Sequence, residues 1–236
     1  IRFFSAGAYA NLTLNNTEAT TGATLGAAVT ATNVTQNVSV NSGLFRTNNL
    51  AMAMAASKTL LVALGATMNA GTTSIAPGTT AFVTINGTFQ TAVTAGFSGS
   101  GTAAIRNTNT PTITLGASSI IEYNAAAAQT VTNRTDYANV TLTGGSKTIG
   151  TGGAQTVTLS KTLTINTGAT YDGSTNSPIL NIGGDFSNSG TFTQGTALVT
   201  FNGTAAQTIL GSSATTFTNN VTLSNAAGLS ITTSPT

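Results

Sequence analysis

Glu18, Glu122, Asp136, Asp172 and Asp185 are the only carboxylate side chains in this chain of 236 residues, and they set the limit on its acid-base chemistry. Catalysis by paired carboxylates needs two of them converging on one bond, one to give a proton and one to take it. Asp172 and Asp185 are the pair that neighbouring structural repeats could bring together. Each lies beside glycine, in Asp172-Gly173 and Gly184-Asp185, a setting in which aspartate ordinarily bonds its own backbone and shapes a turn. A turn role is therefore the expectation for both. A Ser-His or Cys-His nucleophile cannot be assembled, because histidine and cysteine are absent, and no motif supports a Ser-Lys pair. Without thiols there are also no disulfides and no thiolate metal sites. The calcium-binding repeat Gly-Gly-x-Gly-x-Asp does not occur. The chain is expected not to be an enzyme and to carry no cofactor and no metal.

Two polar patterns remain. Thr-x-Thr triplets occur at 112–114, 130–132, 141–143, 156–158, 162–164 and 191–193, and ranks of outward threonine on a flat face can order water against ice. Their spacing is irregular, and ordinary strand preference explains them without a ligand. Nine Asn-x-Ser/Thr sequons are present, at Asn11, Asn15, Asn33, Asn37, Asn86, Asn133, Asn139, Asn202 and Asn220. Asn11, Asn139 and Asn220 share one repeat phase, which favours stacked amides at a corner over glycosylation.

The elements that carry these residues are repeated. Tyr9-Ala10-Asn11-Leu12-Thr13-Leu14 returns as Tyr137-Ala138-Asn139-Val140-Thr141-Leu142, and less closely as Asn219-Asn220-Val221-Thr222-Leu223. Ser57-Lys58-Thr59-Leu60 and Gly65-Ala66-Thr67 return as Ser160-Lys161-Thr162-Leu163 and Gly168-Ala169-Thr170. Tyr123-Asn124 and Gln129-Thr130-Val131 return as Phe201-Asn202 and Gln207-Thr208-Ile209. The offset changes from one matched pair to the next, which reads as units of unequal length, with extra residues near 15–56 and 89–118. Such repeats point to stacked units, none of which can bury its apolar face alone.

Within the units, runs such as Val157-Thr158-Leu159 and Leu163-Thr164-Ile165 alternate with a period of two, the mark of strands with one buried face. Glycine-rich steps between them suit corners, and Pro77, Pro111 and Pro178 flank runs where a missing N–H breaks no ladder. Met52 to Asn69 resembles a signal sequence or short membrane span, but its match to Ser160–Tyr171 makes it strand and turn, and it is too short to cross a bilayer. Charged residues make up 5% of the chain and the net charge is +2, with the seven cations scattered. No basic patch can grip phosphates, so nucleic acid is not an expected partner.

Tyr137-Ala138-Asn139-Val140-Thr141-Leu142, the run from Lys161 to Thr170, Gly183-Gly184-Asp185-Phe186 with the following Ser187 to Phe192, and the run from Val199 to Ile209 resemble the repeats of very large secreted surface proteins of Bacteroidota and related bacteria. The likeness covers 57–71 and 120–231 well and the rest loosely. It implies a right-handed parallel β-helix, exported to the cell surface or medium, and it carries over no functional residues.

The expected fold is a single right-handed parallel β-solenoid over 1–236, of roughly ten rungs, with approximate units 1–128, 129–209 and a partial 210–236. The alternative is an antiparallel β-sandwich array. The expected function is that of a structural subunit of an extracellular filament or adhesin, with an ice-binding solenoid and a β-helix polysaccharide-active enzyme as alternatives. Ile1 is not a methionine, which fits a processed mature chain or a stretch of a longer one. Neither end carries a charged or helical cap, so the expected partner is another copy, joined head to tail, with surface glycans a further partner class. The contact residues expected are Ile1, Phe3, Phe4, Tyr9, Leu12 and Leu14 at one end. At the other they are Phe217, Val221, Leu223, Leu229 and Ile231.

Overall fold

The computed structural model of the chain describes residues 2–3, 9–150 and 155–232. Every sheet in it is parallel, and the strands stack as a β-solenoid of about nine turns, with no helix among the described residues. The antiparallel alternative is excluded by the pairing itself. Contacts group the chain into two compact units, residues 1–121 and 122–236.

The first unit runs through β1 (Arg2–Phe3), β2 (Leu12–Asn15), β3 (Ala23–Leu25), β4 (Val38–Ser42), β5 (Leu44–Arg46), β6 (Thr59–Val62), β7 (Thr67–Asn69), β8 (Phe82–Ile85), β9 (Thr88–Thr91) and β10 (Thr112–Leu115). Strand β11 (Ile120–Tyr123) crosses into the next unit. Odd strands stack on odd strands and even on even, so each turn gives one strand to each of two sheets. Isolated bridges such as Val29 to Met52 and Ile75 to Ile105 tie the remaining side of each turn. Along the even sheet Leu12 pairs with Val38, Val38 with Leu60, Leu60 with Val83 and Val83 with Ile113, so the turns differ in length and the last of these is the longest. That turn holds the loop between β9 and β10. There Phe97 is buried and packs edge-on against Phe89, with ring centres 5.3 Å apart.

The second unit runs through β12 (Gln129–Val131), β13 (Asn139–Leu142), β14 (Ser146–Ile149), β15 (Thr156–Leu159), β16 (Leu163–Ile165), β17 (Thr170–Asp172), β18 (Ile179–Ile182), β19 (Phe186–Asn188), β20 (Thr191–Thr193), β21 (Leu198–Phe201), β22 (Gln207–Leu210), β23 (Val221–Leu223) and β24 (Leu229–Ile231). Its strands fall into three stacks, β13-β16-β19-β22-β24, β12-β14-β17-β20 and β15-β18-β21-β23. In the first, Val140, Leu163, Phe186 and Ile209 stand one above another at equal intervals along the chain. Alternation does the sorting: the apolar residues turn inward and are buried, while Thr and Ser between them stay half-exposed.

Repeated sequence does not mean repeated face. Gln129-Thr130-Val131 lies in the stack of β12, but its match Gln207-Thr208-Ile209 lies in the stack of β24. The step from Gln129 to Gln207 is not a whole number of the turns that separate Leu163 from Phe186, so what repeats is a strand-corner-strand piece. Its chemistry persists in both places. Gln129 Oε1 accepts the Ala125 N–H at 3.1 Å, and Gln207 Oε1 accepts the Gly203 N–H at 2.9 Å. Likewise Gly65 and Gly168, matched in sequence, turn the corner after β6 and after β16 with φ of 79° and 80°. Glycine reaches that left-handed region without the clash a Cβ brings.

Candidate functional site: the open last rung

Three inward columns of the second unit end on the same rung. Val140, Leu163, Phe186 and Ile209 are all buried, and the next residue in that column, Ile231, is 68% exposed. Val157, Leu180 and Val199 are buried, and Val221 after them is 39% exposed. Leu159, Ile182 and Phe201 are buried, and Leu223 after them is 54% exposed. These side chains are apolar because they belong to the core pattern. They are wet because no described strand lies beyond them.

Side chains inside the solenoid hold this rung in place. Gln194 acts as a substitute peptide: its Oε1 accepts the Asn219 N–H at 3.0 Å while its Nε2 donates to Asn220 O at 3.1 Å, fixing the start of β23. Asn225, buried at the corner before β24, donates from Nδ2 to Gln207 Oε1 at 2.9 Å and to Ala205 O at 2.7 Å. Phe217 is half-buried against Phe192 and Phe201, with ring centres 5.6 and 6.2 Å away in edge-on geometry. The rung is thus ordered on one side and uncovered on the other. Among the described residues, strands β23 and β24 each pair with one neighbour only, which leaves their outer edges with unpaired backbone groups.

Of the contact residues expected from sequence, Val221, Leu223 and Ile231 are brought together on this rung, with Leu229 half-buried beside them. At the other end Tyr9 is 40% exposed and bridges to Val34, whereas Leu12 and Leu14 are buried in the core of the first unit. Ile1 and Phe4 lie outside the described residues, and Phe3 is described only as backbone, in β1 paired to β3.

The carboxylates considered for catalysis do not share a site. Asp172 ends β17 and Asp185 precedes β19, in different stacks. Asp172 Oδ1 accepts the Ser174 N–H at 2.9 Å and its hydroxyl at 2.6 Å, and Oδ2 accepts the Thr175 hydroxyl at 3.1 Å. Partial burial pushes this carboxyl up, but those donors outweigh it and hold the group below its ordinary value. Asp185 Oδ1 accepts the Thr208 N–H of the next turn at 2.8 Å. The same one-turn step links Asn139 Oδ1 to the Thr162 N–H, Asn11 Oδ1 to the Asn37 N–H and Asn37 Oδ1 to the Thr59 N–H. Asn11, Asn37, Asn139 and Asp185 thus form side-chain ladders between rungs. The Thr-x-Thr triplets are spread over four stacks, and where two are adjacent Thr141 aligns with Thr164, so they make no single continuous array.

Lys147 is a residue of functional type that the sequence pattern does not reveal. It occupies an inward position of β14, between Gln129 and Tyr171 in register, and is buried. Its Nζ donates to Ala125 O at 2.7 Å and Gly145 O at 3.2 Å, and burial lowers its pKa to about 8. Tyr123 and Tyr137 form another interior pair, hydroxyl to hydroxyl at 2.6 Å, with Tyr137 donating to Thr132 O; burial raises both phenols. Among the described residues no group of three or more acidic, Cys or His side chains could hold a metal ion, and no helix is long and apolar enough to cross a membrane. Comparison with protein-family models, with curated proteins and with solved structures finds no match for this chain.

Proposed function

We propose that the chain is a structural subunit of an extracellular filament or surface adhesin, assembled by stacking the rungs of successive copies head to tail. The observation that supports this reading is the last rung. Three core columns end there on exposed apolar side chains, beside strand edges that have no further partner strand among the described residues. A parallel strand laid on that rung covers the side chains and completes the ladder in one step. Strand β2 suits the task, because among the described residues its outer edge is also unpaired and Asn11-Leu12-Thr13-Leu14 repeats the pattern of Asn220-Val221-Thr222-Leu223. Such a contact joins unlike surfaces and propagates without closing.

The test is assembly of the purified chain, followed by sedimentation and negative-stain microscopy against Leu223→Asp with Ile231→Asp. Wild-type protein should form species that lengthen with concentration, and the double variant should remain monomeric with an unchanged circular dichroism spectrum. Wild-type protein that stays monomeric at every concentration, or variant filaments of unchanged length, would refute the proposal.

A further inference from the structure

A second surface stands out because it breaks the inward-apolar rule. Phe82 occupies an outward position at the start of β8 and is 46% exposed, whereas Phe45, Phe89, Phe97, Phe186 and Phe201 are all buried. On the face that β2, β4, β6, β8 and β10 present, the pairing places Thr59 and Thr112 on either side of Phe82, one turn each way. Further along the same strands, Leu61, Thr84 and Thr114 form a second outward row. Asn11 and Asn37 continue the first row and Thr13 and Ser39 the second, so none of the ten outward positions is charged. The Asn11 and Asn37 side-chain oxygens are engaged in the inter-turn ladder, which leaves their NH2 groups for an outside acceptor. At the far ends of β6, β8 and β10 the face runs into a groove of about 280 Å³ lined by Leu64, Asn86, Gly116, Ala117 and Ser118.

We infer that this face binds a neutral polysaccharide, with Phe82 as the stacking platform. A sugar ring has an apolar C–H face and a rim of hydroxyls that donate and accept. The face answers both: one aromatic ring with Leu61 beside it, bordered by hydroxyl and amide groups of the same dual character. The absence of charge on the ten positions selects against acidic and basic polymers alike, since neither finds a counter-charge there. A protein partner is the poorer fit, because protein interfaces are built around several large anchors and this face has one aromatic. The groove at the strand ends gives an extended chain a path along the strands, from Phe82 toward Asn86. This inference does not depend on the open last rung, which belongs to the other unit.

The test is affinity electrophoresis of the full chain in gels containing hydroxyethylcellulose, laminarin or galactomannan, with alginate as the acidic control. At least one neutral polymer should retard the protein and alginate should not. Phe82→Ala should weaken that retardation about tenfold, as loss of a central aromatic anchor does. Phe82→Tyr keeps the ring and should retain binding, and Leu198→Ala, an outward apolar change in the second unit, should have no effect. Because Phe82 is half in solvent, its replacement leaves the core intact, which an unchanged thermal midpoint would verify. Mobility unaffected by every neutral polymer, equal retardation of wild type and Phe82→Ala, or retardation by alginate alone would each overturn the inference. So would a Phe82→Ala variant that loses self-association instead, since that outcome makes the face a contact between copies.

Discussion

Strands β2 and β23 carry nearly the same residues and meet opposite fates. In β2 the inward Leu12 and Leu14 are buried; in β23 the inward Val221 and Leu223 are 39% and 54% exposed. The pattern of alternation is identical, so propensity cannot account for the difference. What differs is the cover over the side chains: β2 and β23 each end their stack among the described residues, yet Leu12 and Leu14 are shielded within the first unit while Val221 and Leu223 meet solvent. The burial of an end strand is thus a property of what covers its side chains rather than of its own pattern, and like strands contribute differently according to place.

That contrast can be broken most forcefully from the interior. Phe186→Ala, in the middle of the column that ends on Ile231, should cost about 3–5 kcal/mol by cavity formation. Ile231→Ala in the same column should cost under about 1 kcal/mol in the monomer, because its side chain is already wet. Equal losses in thermal unfolding of the two variants would mean the last rung is covered, and the contrast would fail.

The next effect in size is at Lys147. Its pKa in the folded protein is about 8 against 10.5 unfolded, so the unfolded chain binds more protons between those values and stability should rise with pH across that interval. Denaturant midpoints measured from pH 7.5 to 9.5 should climb in the wild type and stay flat in Lys147→Met. The window stops short of 10 because the raised phenols of Tyr123 and Tyr137 act in the opposite direction above it. A parallel climb in both proteins would assign the effect elsewhere.

Smaller effects sharpen the account of how the open rung is held. Gln194→Ala removes both bonds to Asn219 and Asn220, at a cost of about 1–3 kcal/mol, and should raise amide exchange in β23 while leaving β13 protected. Exchange that rises equally in both strands would show that Gln194 acts on the whole unit. Asp185→Asn keeps the acceptor for the Thr208 N–H and should change the midpoint little, whereas Asp185→Ala should cost about 1 kcal/mol.

Much of the scaffold was legible in the residues. Val157-Thr158-Leu159 and Leu163-Thr164-Ile165 became β15 and β16 with the inward residues anticipated, because a period of two leaves no other way to bury them. Gly65 and Gly168 marked corners for a local steric reason. The stack each strand joins was not legible, since it depends on the angle at every corner, and Gln129 and Gln207 show that the same motif can enter different stacks. Lys147 was hidden because a charged side chain reads as outward, and only the two carbonyls at its tip make an inward place tolerable. The exposure of Ile231 was beyond local pattern altogether. The outward place of Phe82 follows from its strand: in Phe82-Val83-Thr84-Ile85 the alternation puts Val83 and Ile85 inside, which leaves the aromatic on the outward phase.

The side-chain ladders have a direction. In Asn11 to Asn37, Asn37 to Thr59, Asn139 to Thr162 and Asp185 to Thr208, the acceptor always sits on the earlier turn and the N–H always comes from the later one. The stack is therefore chemically vectorial, as a row of hooks is when every hook faces the same eye. Two copies meeting with their late ends together would set oxygen against oxygen, and with their early ends together N–H against N–H, and gain nothing from either. Only an arrangement in which all copies point one way lets each hook find its eye, so any array grown from this chain inherits two distinguishable tips.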